Sequence, residues 1–187
     1  MRITGGSYRS RVVKVPPGEI RPAMDRMRES MFAIHTSYYG SLTNFSFLDL
    51  FSGSGIVALE AASRGCSEIT LVEKDRKKRS VMMENLAIVD SIESKLYLMG
   101  VEQFLAQIAK PNSFDLIHLD PPFPMKNKHL YIQKIADLNL LREGGTLTLH
   151  YPKEDDLVEQ LGDLFCVDNR SYGQSQLAFY RRTTSPA

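Results

Sequence analysis

No apolar run in this 187-residue sequence approaches the ~18 residues that a membrane-crossing helix needs. Its start, MRITGGSYRSRVV, has neither the apolar stretch of a signal peptide nor an acyl-anchor motif, so a cytoplasmic protein is expected. There are two cysteines, Cys66 and Cys166, far apart and in no paired motif, which excludes a disulfide framework. His35, His118, His129 and His150 are scattered without metal-ligand spacing, so no metal is expected. Repeats and low-complexity tracts are missing too, which removes solenoids and linker-rich chains. No long coiled-coil pattern demands a dimer, and a monomer is expected.

What is present is ordinary in amount and uneven in placement. The chain is 43% hydrophobic and 24% charged, as in soluble globular proteins, and long enough for one domain with a real core. The net charge of +1 conceals an asymmetry. Residues 1–30 carry Arg2, Arg9, Arg11, Lys14, Arg21, Arg26 and Arg28 against Glu19, Asp25 and Glu29. A basic end on a near-neutral body fits a polyanion partner as readily as a solvated face.

Two β-like runs, RITGG and RVVKV, suggest a hairpin or extended arm, broken by PPG at 16–18. Met24, Met27, Met31, Ile34 and Tyr38 then follow helical spacing from Ala23 to about Tyr39, with Arg26, Arg28 and Glu29 off that stripe. Strand and helix alternate from there. Strands are expected at 45–51, 69–73, 96–99, 114–119 and 146–151, and helices at 56–63, 76–89, 101–108, 129–141 and 154–161. Two last strands, near 164–168 and 176–181, are joined by a turn too short for a parallel crossover, so they pair antiparallel. Repeated β-α units make a parallel sheet covered on both faces. The expected fold is α/β and Rossmann-like, of the class I S-adenosylmethionine-dependent methyltransferase type. It has a seven-stranded, mostly parallel sheet, a C-terminal antiparallel hairpin and a small basic N-terminal extension. Residues 1–40 would form that extension and 41–187 the methyltransferase domain.

The first strand runs into FLDLFSGSG. Gly53 and Gly55 let the backbone turn sharply and approach a ligand, with Phe51, Ser52 and Ser54 around them. Asp49, at the end of a central strand, is costly to bury without a cation or donors. Glu73 ends the second strand in TLVEKD, where a carboxylate can accept both hydroxyls of a ribose, and Lys74 follows it. A carboxylate beside the loop would repel a pyrophosphate and welcome an ammonium. The set therefore fits S-adenosylmethionine better than a dinucleotide.

The fourth strand, FDLIHL, stops on Asp120-Pro121-Pro122-Phe123. In open α/β sheets, ligands bind where strand order reverses, outside the carboxyl ends of the strands. There the Asp120 carboxylate and the Pro121 carbonyl can accept hydrogen bonds from an exocyclic amine. The two prolines fix the backbone and remove N–H donors. Phe123 offers a face on which a base can stack, worth ~1–3 kcal/mol. Guanine presents N1–H and its 2-amino group side by side, which suits a carboxylate. Aspartate leans toward guanine, but it can also serve adenine through the amine alone.

RITGGSYRSR, RPAMDRMRESMF, DLFSGSG, LEAASRG, VEKD and LDPPF stand in an order and spacing that resemble the bacterial 16S ribosomal RNA guanine-N2 methyltransferases of the RsmD type. The resemblance covers nearly the whole chain, and its arginine-bearing N-terminus is the most family-specific part. It implies a cytoplasmic enzyme acting on a guanine of small-subunit rRNA, naked or in an assembling subunit. It also implies that Arg2, Arg9, Arg11, Arg21, Arg26 and Arg28 hold rRNA phosphates. The chain departs from the family pattern at Ser10, where Gly is usual, and at Ala23, where Thr is usual. At Gly100 an Asp or Asn often holds the adenine amine, and here the Val101 N–H, or Glu102 if the register slips, is expected to take over the holding of the adenine.

Two other classes stay open at this level. One is an adenine-N6 or glutamine-N5 methyltransferase, families that more often carry Asn at the position of Asp120 and Tyr at that of Phe123. The other is a non-catalytic RNA-binding protein of the same fold.

Overall fold

The computed structural model describes residues 1–16 and 25–183. Arg21 and the expected helix start at Ala23 lie outside the described residues. Among the described residues, no helix is long and apolar enough to cross a membrane.

The elements are α1 (Asp25–Tyr39), β1 (Ser46–Leu50), α2 (Ile56–Ser63), β2 (Glu68–Val72), α3 (Arg79–Leu86), β3 (Glu93–Tyr97), α4 (Val101–Gln107), β4 (Phe114–Leu119), α5 (His129–Asp137), β5 (Leu141–Pro152), β6 (Gln160–Leu161), β7 (Leu164–Tyr172) and β8 (Ser175–Arg182). One sheet has the order β3-β2-β1-β4-β5-β8-β7-β6. The pairs from β3 to β5 are parallel, and β8 runs antiparallel to both β5 and β7. The order reverses between β1 and β4. Leu50 sits opposite Leu119 there, and the Asp120 N–H donates to the Leu50 carbonyl at 3.3 Å. Whatever follows β1 is therefore held beside whatever follows β4.

Side-chain alternation sorts the central strands between two cores. Phe47, Ile69, Leu71, Leu116 and Phe179 join one cluster with residues of α1, α2 and α3. Leu48, Leu50, Val72, Ile117, Leu119, Leu147 and Leu149 join the other with residues of α4 and α5. The N-terminal segment belongs to the first core, through buried Ile3 and Val13. It forms a tight hairpin-like turn, with Ile3 N–H on the Arg11 carbonyl at 3.0 Å and Ser10 N–H on the Ile3 carbonyl at 2.8 Å. Ser10 takes a φ of 70°, a left-handed conformation that explains why glycine suits this position. Gly6 presses so closely on α2 that a Cβ there would lie 1.8 Å from the Ser63 carbonyl oxygen.

Three expectations are corrected. Among the described residues the sheet has eight strands rather than seven, and no helix forms over 154–161. Glu154, Asp155 and Asp156 would crowd three like charges into one helical turn, and Asp155 instead pairs with the Lys128 ammonium. Gly162, at a φ of 61°, then folds Gln160–Leu161 back onto Leu164–Phe165 as β6. The expected helix over 76–89 is split, with 3₁₀ turns at Arg76–Lys78 and Ala87–Val89 flanking α3. Its first turns carry Arg76, Lys77, Lys78 and Arg79, cations at the positive end of the helix dipole.

Candidate active site

The chain leaves β1 through a loop with three left-handed residues: Phe51 at φ 63°, Gly53 at 58° and Gly55 at 81°. Gly55 is the N-cap of α2, and a Cβ there would meet Leu71 Cδ2 at 2.9 Å. Ser52 fastens the loop to β2. Its hydroxyl donates to the Asp49 carbonyl at 2.6 Å and accepts the Val72 N–H at 3.0 Å. Its own N–H donates to the Val72 carbonyl at 3.0 Å. The amide of Asn85, from α3, donates to the Ser54 carbonyl at 2.9 Å.

Glu73 and the loop hold each other. Its Oε2 accepts the Gly53 N–H at 3.0 Å, and its Oε1 accepts the Asp75 N–H at 2.9 Å. The Lys78 ammonium lies 3.1 Å from Oε2. The carboxylate is buried, so this cation offsets part of its desolvation.

Asp49 is only 1% exposed. Its Oδ2 has no hydrogen-bond partner among the described residues, and the nearby Ala58 N–H only partly favours the charged form. Burial first, then the charges of Asp120 and Glu73, push its carboxyl well above the usual carboxylate range. A buried acceptor with no donor is a costly feature that a cationic or N–H-bearing ligand would relieve.

The Asp120-Pro121-Pro122-Phe123 corner is gripped from two sides. The buried Lys128 ammonium donates to the Phe123 carbonyl at 2.9 Å and the Met125 carbonyl at 2.7 Å. His150, on β5, places Nδ1 2.7 Å from Asp120 Oδ1. Its ring stands edge-on to Phe123, with centroids 5.1 Å apart.

A cleft of about 280 Å³ joins the two halves. Asp49, Phe51, Ser52, Gly53, Ser54, Glu73 and Lys74 line one side, and Asp120, Pro121, Pro122 and Phe123 the other. Glu73 and Asp120 stand against Lys74 and Lys78, and Asp49 adds a carboxyl whose charged form a cationic ligand would stabilise. Gly55 shapes the loop without lining the cleft, and Val101 does not line it either. The Val101 side chain is buried in the core with Phe104 and Leu105, while its N–H, the atom expected to meet the adenine, belongs to the first turn of α4.

The basic arm divides. Arg2, Arg9, Arg11 and Arg26 are exposed. Arg28 corrects the sequence reading, since it is 1% exposed and bonded to Glu60 and Asp25. Such a guanidinium cannot reach an RNA phosphate. His150, Lys128 and Lys78 join or support the site without having been singled out in the sequence. The tract KDRKKR was a visible signal for Lys78, whereas nothing local marks His150 or Lys128.

Comparison with known proteins follows the same lines. The family model described as "Conserved hypothetical protein 95" matches residues 1–181. YlbH of Bacillus subtilis (strain 168) is 30% identical over 185 residues, covering 97% of this chain and 99% of its own. "Ribosomal RNA small subunit methyltransferase D" of Escherichia coli (strain K12) is 35% identical over 149 residues, covering 79% of this chain and 69% of its own. The solved structure of yhhF from Escherichia coli superposes with a TM-score of 0.83 at 28% identity, covering 99% of each chain.

Proposed function

The chain belongs to the conserved hypothetical protein 95 family, the RsmD family, and from that premise we propose that it transfers a methyl group from S-adenosylmethionine to the exocyclic N2 amine of a guanine in small-subunit (16S) rRNA. The observation that carries this reading is the pairing of Leu50 with Leu119, which sets the glycine loop against the Asp120-Pro121-Pro122-Phe123 corner across one cleft.

The donor set fits the cofactor. The unpartnered Oδ2 of Asp49 suits an ammonium, and Glu73 beside Gly53 suits a ribose diol. S-adenosylmethionine would supply a methyl group already activated on a sulfonium. The protein's remaining task is to present the amine in line with that methyl. Asp120 and the Pro121 carbonyl accept the amine's N–H bonds and turn its lone pair toward the donor. The Asp120 carboxylate stabilises positive charge as it grows on nitrogen, and Phe123 stacks on the base. The amine gains the methyl as the methyl's bond to sulfur breaks, and it then loses an N–H proton to solvent, which returns it to neutrality. The exposed Arg2, Arg9, Arg11 and Arg26 serve as phosphate contacts.

The test is to incubate the protein with labelled S-adenosylmethionine and undermodified small subunits, naked rRNA or DNA, then identify the product nucleoside. N2-methylguanosine from the subunit or its rRNA is expected. N6-methyladenosine, or label in protein, would replace this reading with one of its rivals. Absence of S-adenosylmethionine binding in calorimetry would remove catalysis altogether.

A further inference from the structure

His150 lies outside the glycine loop, the strand-end acid and the proline corner, yet it makes the one side-chain hydrogen bond that Asp120 has among the described residues. Asp120 stands one residue beyond the last paired position of β4 and is partly exposed. A carboxylate so placed turns freely about its side-chain bonds unless something ties it. His150 is a firm tether. It is buried, its backbone is paired with Leu177 of β8, and its neighbour Leu149 is paired with Leu119 of β4. Phe123 packs against the ring.

The hydrogen bond also sets the tautomer. A carboxylate only accepts, so Nδ1 carries the proton of this bond and Nε2 is the ring nitrogen left over. That Nε2 is buried and has no partner among the described residues. A phenyl ring of similar shape would pack beside Phe123 without burying an unpaired nitrogen, so packing alone does not explain an imidazole here.

We propose that His150 is a positioning residue for methyl transfer: its Nδ1–H ties down Asp120 Oδ1 and leaves Oδ2 aimed at the target amine. This rests on the reading of Asp120 as the acceptor of the amine's N–H. Fixing the rotation of that carboxylate fixes where the lone pair of the amine points. A misaimed nucleophile costs on the order of 10²-fold in rate even when substrate still binds.

The experiment compares His150→Ala, His150→Phe and His150→Asn in the full-length chain. Calorimetry gives the S-adenosylmethionine Kd, and turnover is measured on undermodified small subunits. Phe keeps the ring volume without a donor, and Asn places an amide N–H near the position of Nδ1. Ala and Phe are expected to lower kcat by roughly 30- to 100-fold, with cofactor Kd within about twofold of wild type. Asn should recover most of the loss. Nitrogen NMR of the wild type should find the proton on Nδ1, with that signal moving in Asp120→Ala.

Wild-type turnover in His150→Phe, equal losses in Asn and Ala, or a proton on Nε2 with none on Nδ1 would overturn the proposal while leaving the methyltransferase reading intact. A wild-type protein that bound no S-adenosylmethionine would remove both.

Discussion

Arg28 Nε lies 3.1 Å from Glu60 Oε1, and neither side chain reaches solvent. Glu60 also accepts the Thr4 N–H at 2.9 Å, the Thr4 hydroxyl at 3.0 Å and the Arg64 guanidinium. Arg28 reaches in turn to the Arg2 carbonyl at 2.9 Å and to Asp25 at 2.7 Å. One buried carboxylate thus joins the N-terminal segment, α1 and α2. Removing Arg28 takes one of two guanidinium partners from a buried carboxylate; Arg64 still offsets part of the charge, so the cost falls below the roughly 3–5 kcal/mol of a fully uncompensated one. Arg28→Ala should therefore unfold at markedly lower urea or temperature. If its stability matched wild type while its RNA affinity fell, the clamp assigned to Arg28 would be wrong.

The exposed arginines carry the opposite expectation. Each phosphate contact with single-stranded RNA adds about 0.7 to the slope of log affinity against log salt. Arg9→Ala with Arg11→Ala should lower that slope by about 1.4 and leave the melting temperature unchanged. Filter binding across a salt series reads the slope. An unaltered slope would exclude these two side chains from the RNA interface.

Glu73 and Asp120 should separate binding from turnover. Glu73→Ala removes a charged acceptor and is expected to weaken S-adenosylmethionine by about 1.5–3 kcal/mol, roughly ten- to a hundredfold in Kd. Asp120→Ala should leave the cofactor bound and lower kcat by about 10²- to 10³-fold. The roles would need exchanging if calorimetry and single-turnover assays returned the reverse pattern.

Asp49 predicts a pH effect on the ligand-free protein. Burial raises its folded pKa well above the ordinary carboxylate value. An acid shifted that way binds its proton more tightly in the fold than in the unfolded chain. Its contribution to stability is complete below the unfolded value of about 4 and is lost as pH rises through the raised folded value. Asp49→Asn has no such loss. Unfolding measured from pH 4 to 8 should show the variant gaining on wild type as pH rises, while its S-adenosylmethionine affinity falls. Superimposable pH profiles would contradict the burial cost assigned here.

Two histidines act at the acid end. Burial holds His35 down to about 3 and His118 down to about 4, and both ring nitrogens of His118 lack partners among the described residues. A base depressed in this way charges more readily when unfolded. Stability is therefore lost as pH falls from the unfolded value of about 6.5 toward those folded values. His118→Leu should lose less stability than wild type between pH 7 and 4.5 in thermal melts. A larger loss in the variant would mean that the ring is held by a bond not identified in the fold.

The sequence by itself determined the alternating α/β architecture, the C-terminal hairpin and both halves of the cleft. Those features are written locally. Apolar alternation marks the strands, and Gly53 and Gly55 mark backbone that must turn left-handed. Asp49, Glu73 and Asp120 stand at strand ends, where the parallel order of the sheet brings them to one edge. Tertiary structure alone decided the rest. Arg28 reads as a surface cation on its own helix, and only the arrival of Glu60 from α2 makes it a buried clamp. His150 is one residue of an apolar strand until β5 pairs with β4 and brings it to Asp120. The segment 154–161 has helical composition, but Lys128 holds Asp155 and the turn at Gly162 brings only Gln160–Leu161 to the sheet edge. Local pattern specifies backbone geometry, whereas the partner of a charged side chain depends on which distant segment packs beside it.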